Sequence, residues 1–466
     1  MTMAPPGDEG TTAAPERKLS NRHIQFIALG GAIGAGLFLG SGKSIALAGP
    51  GAIVAYAVCG VFIFLMARAL GELTLREPTR DAFIAYATRN IGPVAGFVTG
   101  WSYWANWVLV GAAEITATSV FMRYWYPAIP QWIPAAVTLA AVYAANMKAV
   151  RLFGEVEFWL AIVKVLTIVL LIMGGLLALF TPFLPVAGAN VHNLVDHGGL
   201  FPRGWGGIVE ILPIALFAFG GVEVIALTAH EAQDPHHSIP RAINAVVARI
   251  LIFYVGSMLV AMSVAPWTSY SADQSPFVAI MTRIGIPAAA GIVNFVVLTA
   301  VVSSCNTGLF STGRMLAGLA RNEFAPAALG RTDADGLPRR SISVSAACLA
   351  LAVLLNWLIP DRALGVLMAA VAYLLLWVWI VVLLSHRGMR RRAGSGAAGT
   401  FAMPFYPLSS WATIAFIAGA VLLLVLEGAD TVATLAAGMW FVGLTLFALL
   451  RRFVPHPKPA GQQSIE

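Results

Sequence analysis

Charge is what this sequence has least of: Asp, Glu, Lys and Arg together make up 11 % of its 466 residues, where a soluble domain carries about a quarter. With 59 % hydrophobic residues and a mean hydropathy of +0.80, the chain cannot close into a water-soluble globule. Cysteine is almost as scarce. Cys59, Cys305 and Cys348 each lie inside an apolar run and read as small buried hydrophobes, not as a disulfide framework. No phosphate-binding loop is present, because Gly42-Lys43-Ser44 lacks the upstream glycine at the required spacing; this argues against an ATP-driven pump. Gly34-Ala35-Gly36 has no preceding strand, so no dinucleotide site is expected. His230-Glu231 with His236-His237 lacks the i, i+4 histidine pair of a zinc helix, so no metal is expected either. The net charge of +7 is not gathered into one patch or tail, which excludes a nucleic-acid partner. Residues 1–20 lack the apolar stretch of a signal peptide and are expected to form a disordered cytoplasmic tail.

What the sequence does have is apolar runs. A bilayer core about 30 Å thick takes roughly 20 residues per helical crossing. Runs of that kind fall near 23–47, 50–72, 94–122, 131–147, 154–180, 207–230, 242–265, 287–317, 342–359, 364–385, 409–427 and 431–450, predicting an all-α membrane protein with twelve transmembrane helices in a lipid bilayer. The fourth run is short. With the N-terminus inside, 23 of the 29 Lys and Arg residues fall on the cytoplasmic side, as the positive-inside rule requires. Lys43, Arg123, Arg203, Arg283 and Arg362 fall outside, and Lys164 lies mid-span. Both termini are then cytoplasmic, with 453–466 as a second tail.

Glycine interrupts two of these spans near their middles: Gly30-Gly31-Ala32-Ile33-Gly34-Ala35-Gly36 in the first, and Phe217-Ala218-Phe219-Gly220-Gly221 in the sixth. Either run alone fits close helix packing. Two such runs five spans apart predict broken helices 1 and 6 in an inverted five-plus-five repeat, with repeats about 21–180 and 207–385 and extra helices at 409–450. Unwinding inside hydrocarbon leaves backbone N–H and C=O groups that must line a polar cavity or hold a ligand. An amino acid matches at both ends. The N–H groups of Gly34, Ala35 and Gly36 suit its carboxylate, while the carbonyls of Ala28, Ile33, Phe217, Ala218 and Gly220 suit its ammonium. Phe219 and Gly221 complete the substrate-binding segment.

Two ionisable residues lie deep in spans, where an unpartnered charge costs at least about 2.5 kcal/mol. Lys164 either couples proton flow to transport by losing its proton, or stays charged and pins the broken first helix. Glu114 either carries a proton or contacts substrate, or is a hydrogen-bonded protonated acid between helices. Glu223, just after the second break, is placed to cap the half-helix that follows. Trp104, Ser303, Ser304 and Asn306 are candidate cavity or gate residues, the last three lining the cavity or bonding across helices. Glu72, Glu155, Glu157, Glu231 and Arg241 lie near cytoplasmic ends, where solvated charge is favoured over a gate of ion pairs.

SNRHIQFIALGGAIGAGLFLGSG from Ser20, GFVTGWSYWANWVLVGAAEITA from Gly96, GEVEFWLAIVK from Gly154, FAFGGVEV from Phe217 and FSTGRMLAGLA from Phe310 resemble the amino acid transporter family of the amino acid–polyamine–organocation superfamily. The resemblance runs from Ser20 to about Arg452. It implies the LeuT-type fold, a permease domain over 21–452, and proton-coupled amino acid uptake across a bacterial inner membrane. The proton is the coupling ion, and no cofactor is implied. It also implies substrate contacts along the broken segments, a proton-linked Lys164 and an acidic residue at Glu114 that matters for transport. Within the family, Ser275-Pro276-Phe277-Val278 with Pro266-Trp267-Thr268-Ser269 is most similar to D-serine/D-alanine/glycine permeases, with proline, γ-aminobutyrate and aromatic permeases close behind. Gly220 and Thr228-Ala229-His230 depart from relatives near the pocket.

Two other classes share some of these features. A channel normally builds its pore from rings of polar groups contributed by several subunits, which single buried ionisable residues do not supply. An intramembrane enzyme needs a base beside its nucleophile, and none lies near Ser303 or Ser304 in sequence.

Overall fold

The computed structural model describes residues 34–450 except 80, 148–149, 183–185, 229–233, 273, 286, 334–335, 394–400 and 427–430. The 23–33 part of the first predicted span, with Ala28 and Ile33, therefore lies outside the described residues, as do both predicted tails, Ala229, His230, Glu231 and the side chains of Glu155 and Glu157.

Within the described residues every regular element is helical. They are α1 Ala35–Phe38, α2 Gly40–Ala48, α3 Gly51–Arg76, α4 Ala82–Asn90, α5 Pro93–Met122, α6 Trp132–Asn146, α7 Val150–Phe180, α8 Gly204–Ala218, α9 Val224–Thr228, α10 Pro235–Arg249, α11 Ser257–Val264, α12 Pro276–Arg283, α13 Pro287–Arg321, α14 Arg339–Leu358, α15 Pro360–Ala393, α16 Leu408–Leu426 and α17 Thr431–Leu450. A helix satisfies its own backbone groups, the one open-ended solution for a chain crossing hydrocarbon. Nine helical stretches among the described residues are long and apolar enough to cross a bilayer. Three shorter apolar ones, Ala35–Ala48, Trp132–Asn146 and Gly204–Ala218, sit where the first, fourth and sixth spans are predicted. The fourth is short in sequence, the sixth is interrupted, and the first is described only from residue 34 onward.

At both glycine runs the described backbone departs from helical geometry. Gly34 is extended (φ −139°, ψ −150°) directly before α1. After α8 the chain leaves helical geometry over residues 219–223, with Gly221 at φ +99°, a conformation in which a Cβ is penalised. Helix α9 then resumes. The two broken elements meet directly, α1 and α2 lying against α8. A Cβ on Gly36 would stand 2.6 Å from Ala218 Cα, so this approach requires glycine.

The centre of the bundle is α5, with 83 % of its most apolar stretch buried, and its most extensive partners are α13 and α15. For the terminal helix α17 the figure is 17 %, which places it at the rim. Large apolar side chains such as Trp159, Leu170, Leu351 and Met439 point outward from peripheral helices. Water does not tolerate so extensive an apolar surface, whereas lipid accepts it. Between α10 and α11, residues Ile250–Gly256 form a π-helical segment, a widened turn of a kind often found at functional sites.

Candidate substrate site between the broken helices

On α5, residues 106, 107, 110 and 114 recur at helical spacing and so share one face. That face meets both breaks. Asn106, Trp107, Val110 and Glu114 line a cavity with Gly34 and Gly36 from the first break and Phe217, Ala218, Gly220, Gly221 and Glu223 from the second. Its volume is about 20 Å³, room for about one water, so an amino acid enters only if the walls move.

Both breaks expose N–H groups, and in each case a buried glutamate takes them. Ala35 N–H donates to Glu114, 3.1 Å from Oε2 and 3.3 Å from Oε1. Ser304 Oγ donates to Glu114 Oε1 at 3.0 Å. Gly221 N–H donates to Glu223, 3.1 Å from Oε2 and 3.2 Å from Oε1. Glu114 is 2 % exposed and Glu223 fully buried, so these donors replace the hydration each carboxylate has lost. The freed N–H of Ala35, predicted to hold a substrate carboxylate, thus holds a protein carboxylate. Glu223 bonds back to the unwound segment immediately before α9, close to its predicted capping position.

The carbonyls are also engaged. Tyr254 Oη, on the π-helical segment, donates to Ala218 O, and Gly220 N–H donates to Phe217 O at 3.0 Å. Phe219 and Tyr56 stack around Tyr254, with ring centroids 4.8 and 5.7 Å from it, fixing the hydroxyl that closes the end of α8. Lys164 is 1 % exposed and close enough to Glu114 for their charges to attract; it also has a polar or electrostatic partner of its own.

The other predicted cavity residues separate. Ser304 belongs to the site through Glu114. Ser303 is buried on the same helix and is not without a partner. Asn306 is not among the residues lining the cavity; its Oδ1 accepts from Asn146 Nδ2 at 2.8 Å, the bond across helices that the sequence also allowed. Trp104 Nε1 donates to Ser345 Oγ at 3.0 Å, so the indole pins α5 to α14 and does not line the cavity. Asn106 and Val110 do not stand out in the sequence, and Trp107, which reads there as an interface anchor, is instead buried against the cavity. The signal was available: residues 106, 110 and 114 follow an i, i+4, i+8 stripe that ends at the buried glutamate.

The expectation of solvated charge at the helix ends needs correction at Glu72, which is 1 % exposed. Its carboxylate meets Arg390 Nε at 2.6 Å, His386 Nε2 at 3.0 Å and Arg76 Nη2 at 3.5 Å, and accepts from Met403 N–H at 2.9 Å. These partners stand in for the water that burial removes, and the ion cluster ties α3 and α15 to the chain segment entering α16. Arg241, by contrast, is exposed.

A helical bundle with an apolar rim, in which two glycine-interrupted segments meet at a buried polar cavity, fits a membrane transporter. The comparisons with known proteins agree. The chain belongs to the amino acid permease family, whose model matches residues 23–451. The aromatic amino acid transport protein AroP of Escherichia coli (strain K12) is 43 % identical over 437 residues, covering 94 % of this chain and 95 % of AroP. The amino-acid permease AapA of Bacillus subtilis (strain 168) is 40 % identical over 432 residues, covering 92 % of this chain and 94 % of AapA.

Proposed function

We propose that this permease is a secondary transporter that imports a neutral amino acid together with a proton, by alternating access across a bacterial inner membrane, with both termini cytoplasmic. The observation that carries the reading is the pairing of each opened backbone segment with a buried glutamate, Ala35 with Glu114 and Gly221 with Glu223. A proton arriving on Glu114 weakens its hold on Ala35 N–H and frees that donor for a substrate carboxylate. Lys164, electrostatically linked to Glu114, supplies or receives the proton as the site opens to one side and then the other.

Glu114 and Glu223 are the ionisable side chains among the residues lining the cavity, and both are engaged with backbone donors. A substrate with a neutral side chain therefore suits it. The narrow cavity and its glycine walls favour a small one, as in glycine, D-alanine or D-serine. An aromatic substrate is the second reading: Trp107 and Phe217 present rings to the cavity, and AroP, named for aromatic amino acids, is 43 % identical.

The test is competition by L- and D-amino acids against labelled glycine and labelled phenylalanine in proteoliposomes, with and without an inward proton gradient. Gradient-dependent glycine uptake inhibited by D-alanine and D-serine supports the small-substrate reading. Phenylalanine uptake inhibited by tyrosine and tryptophan moves the protein to the aromatic branch. Uptake that ignores the gradient removes proton coupling.

A further inference from the structure

We propose that Asn106 makes this permease selective for amino acids whose side chain carries a hydrogen-bond donor. The inference rests on the cavity being the substrate site, and it concerns the part of the substrate that differs from one amino acid to the next.

Asn106 lines the cavity and is 1 % exposed. Its Oδ1 makes no hydrogen bond among the described residues. The two carboxylates of the cavity are already committed, Glu114 to Ala35 and Ser304 and Glu223 to Gly221, while the indole N–H of Trp107 beside Asn106 makes no hydrogen bond among the described residues. Asn106 stands two helical turns from Glu114 on α5, about 12 Å along the axis, with Val110 one turn away and Trp107 adjacent. A substrate whose carboxylate is held near Ala35 therefore presents its ammonium and its side chain, not its carboxylate, toward Asn106.

A buried acceptor among apolar walls is costly to leave unpaired. A hydroxyl, amide or ring N–H on the substrate pairs it, and a hydrocarbon side chain leaves it orphaned. Sites that hydrogen-bond a substrate hydroxyl discriminate against the analogue without it far more strongly than apolar pockets discriminate by one methylene. Serine is thus favoured over alanine if the substrate is small, and tyrosine over phenylalanine if it is aromatic. The chemistry is the same in both branches.

The experiment uses the full-length protein in proteoliposomes under an inward proton gradient, with labelled serine, alanine, tyrosine and phenylalanine as probes. The expected result is a preference of at least about tenfold in kcat/KM for the donor-bearing member of the transported pair. Asn106→Leu should bring that ratio to within about twofold, serine or tyrosine slowing more than alanine or phenylalanine. Asn106→Thr, which keeps an acceptor oxygen, should retain part of the preference. An unchanged ratio in Asn106→Leu overturns the proposal. So does an equal fall for both members of the pair, which would mean that Asn106 meets the ammonium common to all amino acids. If Asn106→Leu does not reach the bilayer, thermal unfolding of the wild-type protein in detergent decides: serine or tyrosine must stabilise it more than alanine or phenylalanine, and equal stabilisation overturns the inference. A wild-type protein that moves none of the four removes the functional reading itself, and the selectivity with it.

Discussion

Replacing Gly34 with alanine tests the link between the first break and Glu114. An added Cβ would lie 2.9 Å from Ser304 Oγ and closer still to Glu114 Oε1. The Gly34 backbone is extended and accepts alanine without strain, so the side chains must yield. The most mobile of them is the Glu114 carboxylate, which then leaves Ala35 N–H and Ser304. A hydrogen bond to a charged group contributes about 1.5–3 kcal/mol, and each 1.4 kcal/mol is about a factor of ten. Losing the Ala35 contact alone therefore changes the balance between cavity states by roughly one to two orders of magnitude. The assay is the initial rate of gradient-driven uptake in proteoliposomes, with size-exclusion elution as the check on folding. Gly34→Ala should elute as the parent does and transport ~10- to 100-fold more slowly. Shortening the acid in Gly34→Ala/Glu114→Asp should recover part of the loss. A Gly34→Ala rate within about threefold of the parent would refute the reasoning.

Three further outcomes are expected. Lys164→Ala should abolish accumulation driven by the proton gradient while leaving exchange of internal for external substrate; full gradient-driven accumulation by this variant would remove Lys164 from coupling. Glu72→Gln takes the charge from a cluster of Arg390, His386 and Arg76 and should lower stability by about 3–5 kcal/mol, read as an earlier thermal unfolding transition in detergent, so an unshifted transition would contradict a structural role. Trp104→Phe loses the bond to Ser345, at about 1 kcal/mol, and should leave substrate selectivity untouched; altered selectivity would place the indole in the cavity after all.

Legibility from sequence followed the range of the interactions involved. The spans and their breaks were readable because apolar length and glycine clusters are local signals, and Gly34 and Gly221 lie where helical geometry is lost. Glu114 stood out because a carboxylate inside an apolar run is conspicuous. Its partners Ala35 and Ser304 lie 79 and 190 residues away in the chain, and no periodicity reports a pairing at that distance. Trp104 reads as a cavity or gate candidate because it is polar-tipped and mid-span, and Asn306 as lining the cavity or bonding across helices; in the bundle both join helices. Asn306 bonds to Asn146 and Trp104 to Ser345. The Glu72 cluster was read as surface charge for a similar reason: its burial depends on α15 and on Met403, far along the chain.

The glutamate on Ala35 N–H has one more consequence, for how tightly this protein can bind what it carries. A carboxylate fixed to the same molecule is a tethered competitor, present at an effective concentration of millimolar order or above. On the proposed reading a free amino acid displaces it, and its affinity is then a difference between two carboxylates on one donor, not the strength of either. In that scheme the glutamate retakes the place of each departing substrate, which favours release and a carrier suited to abundant substrate rather than traces.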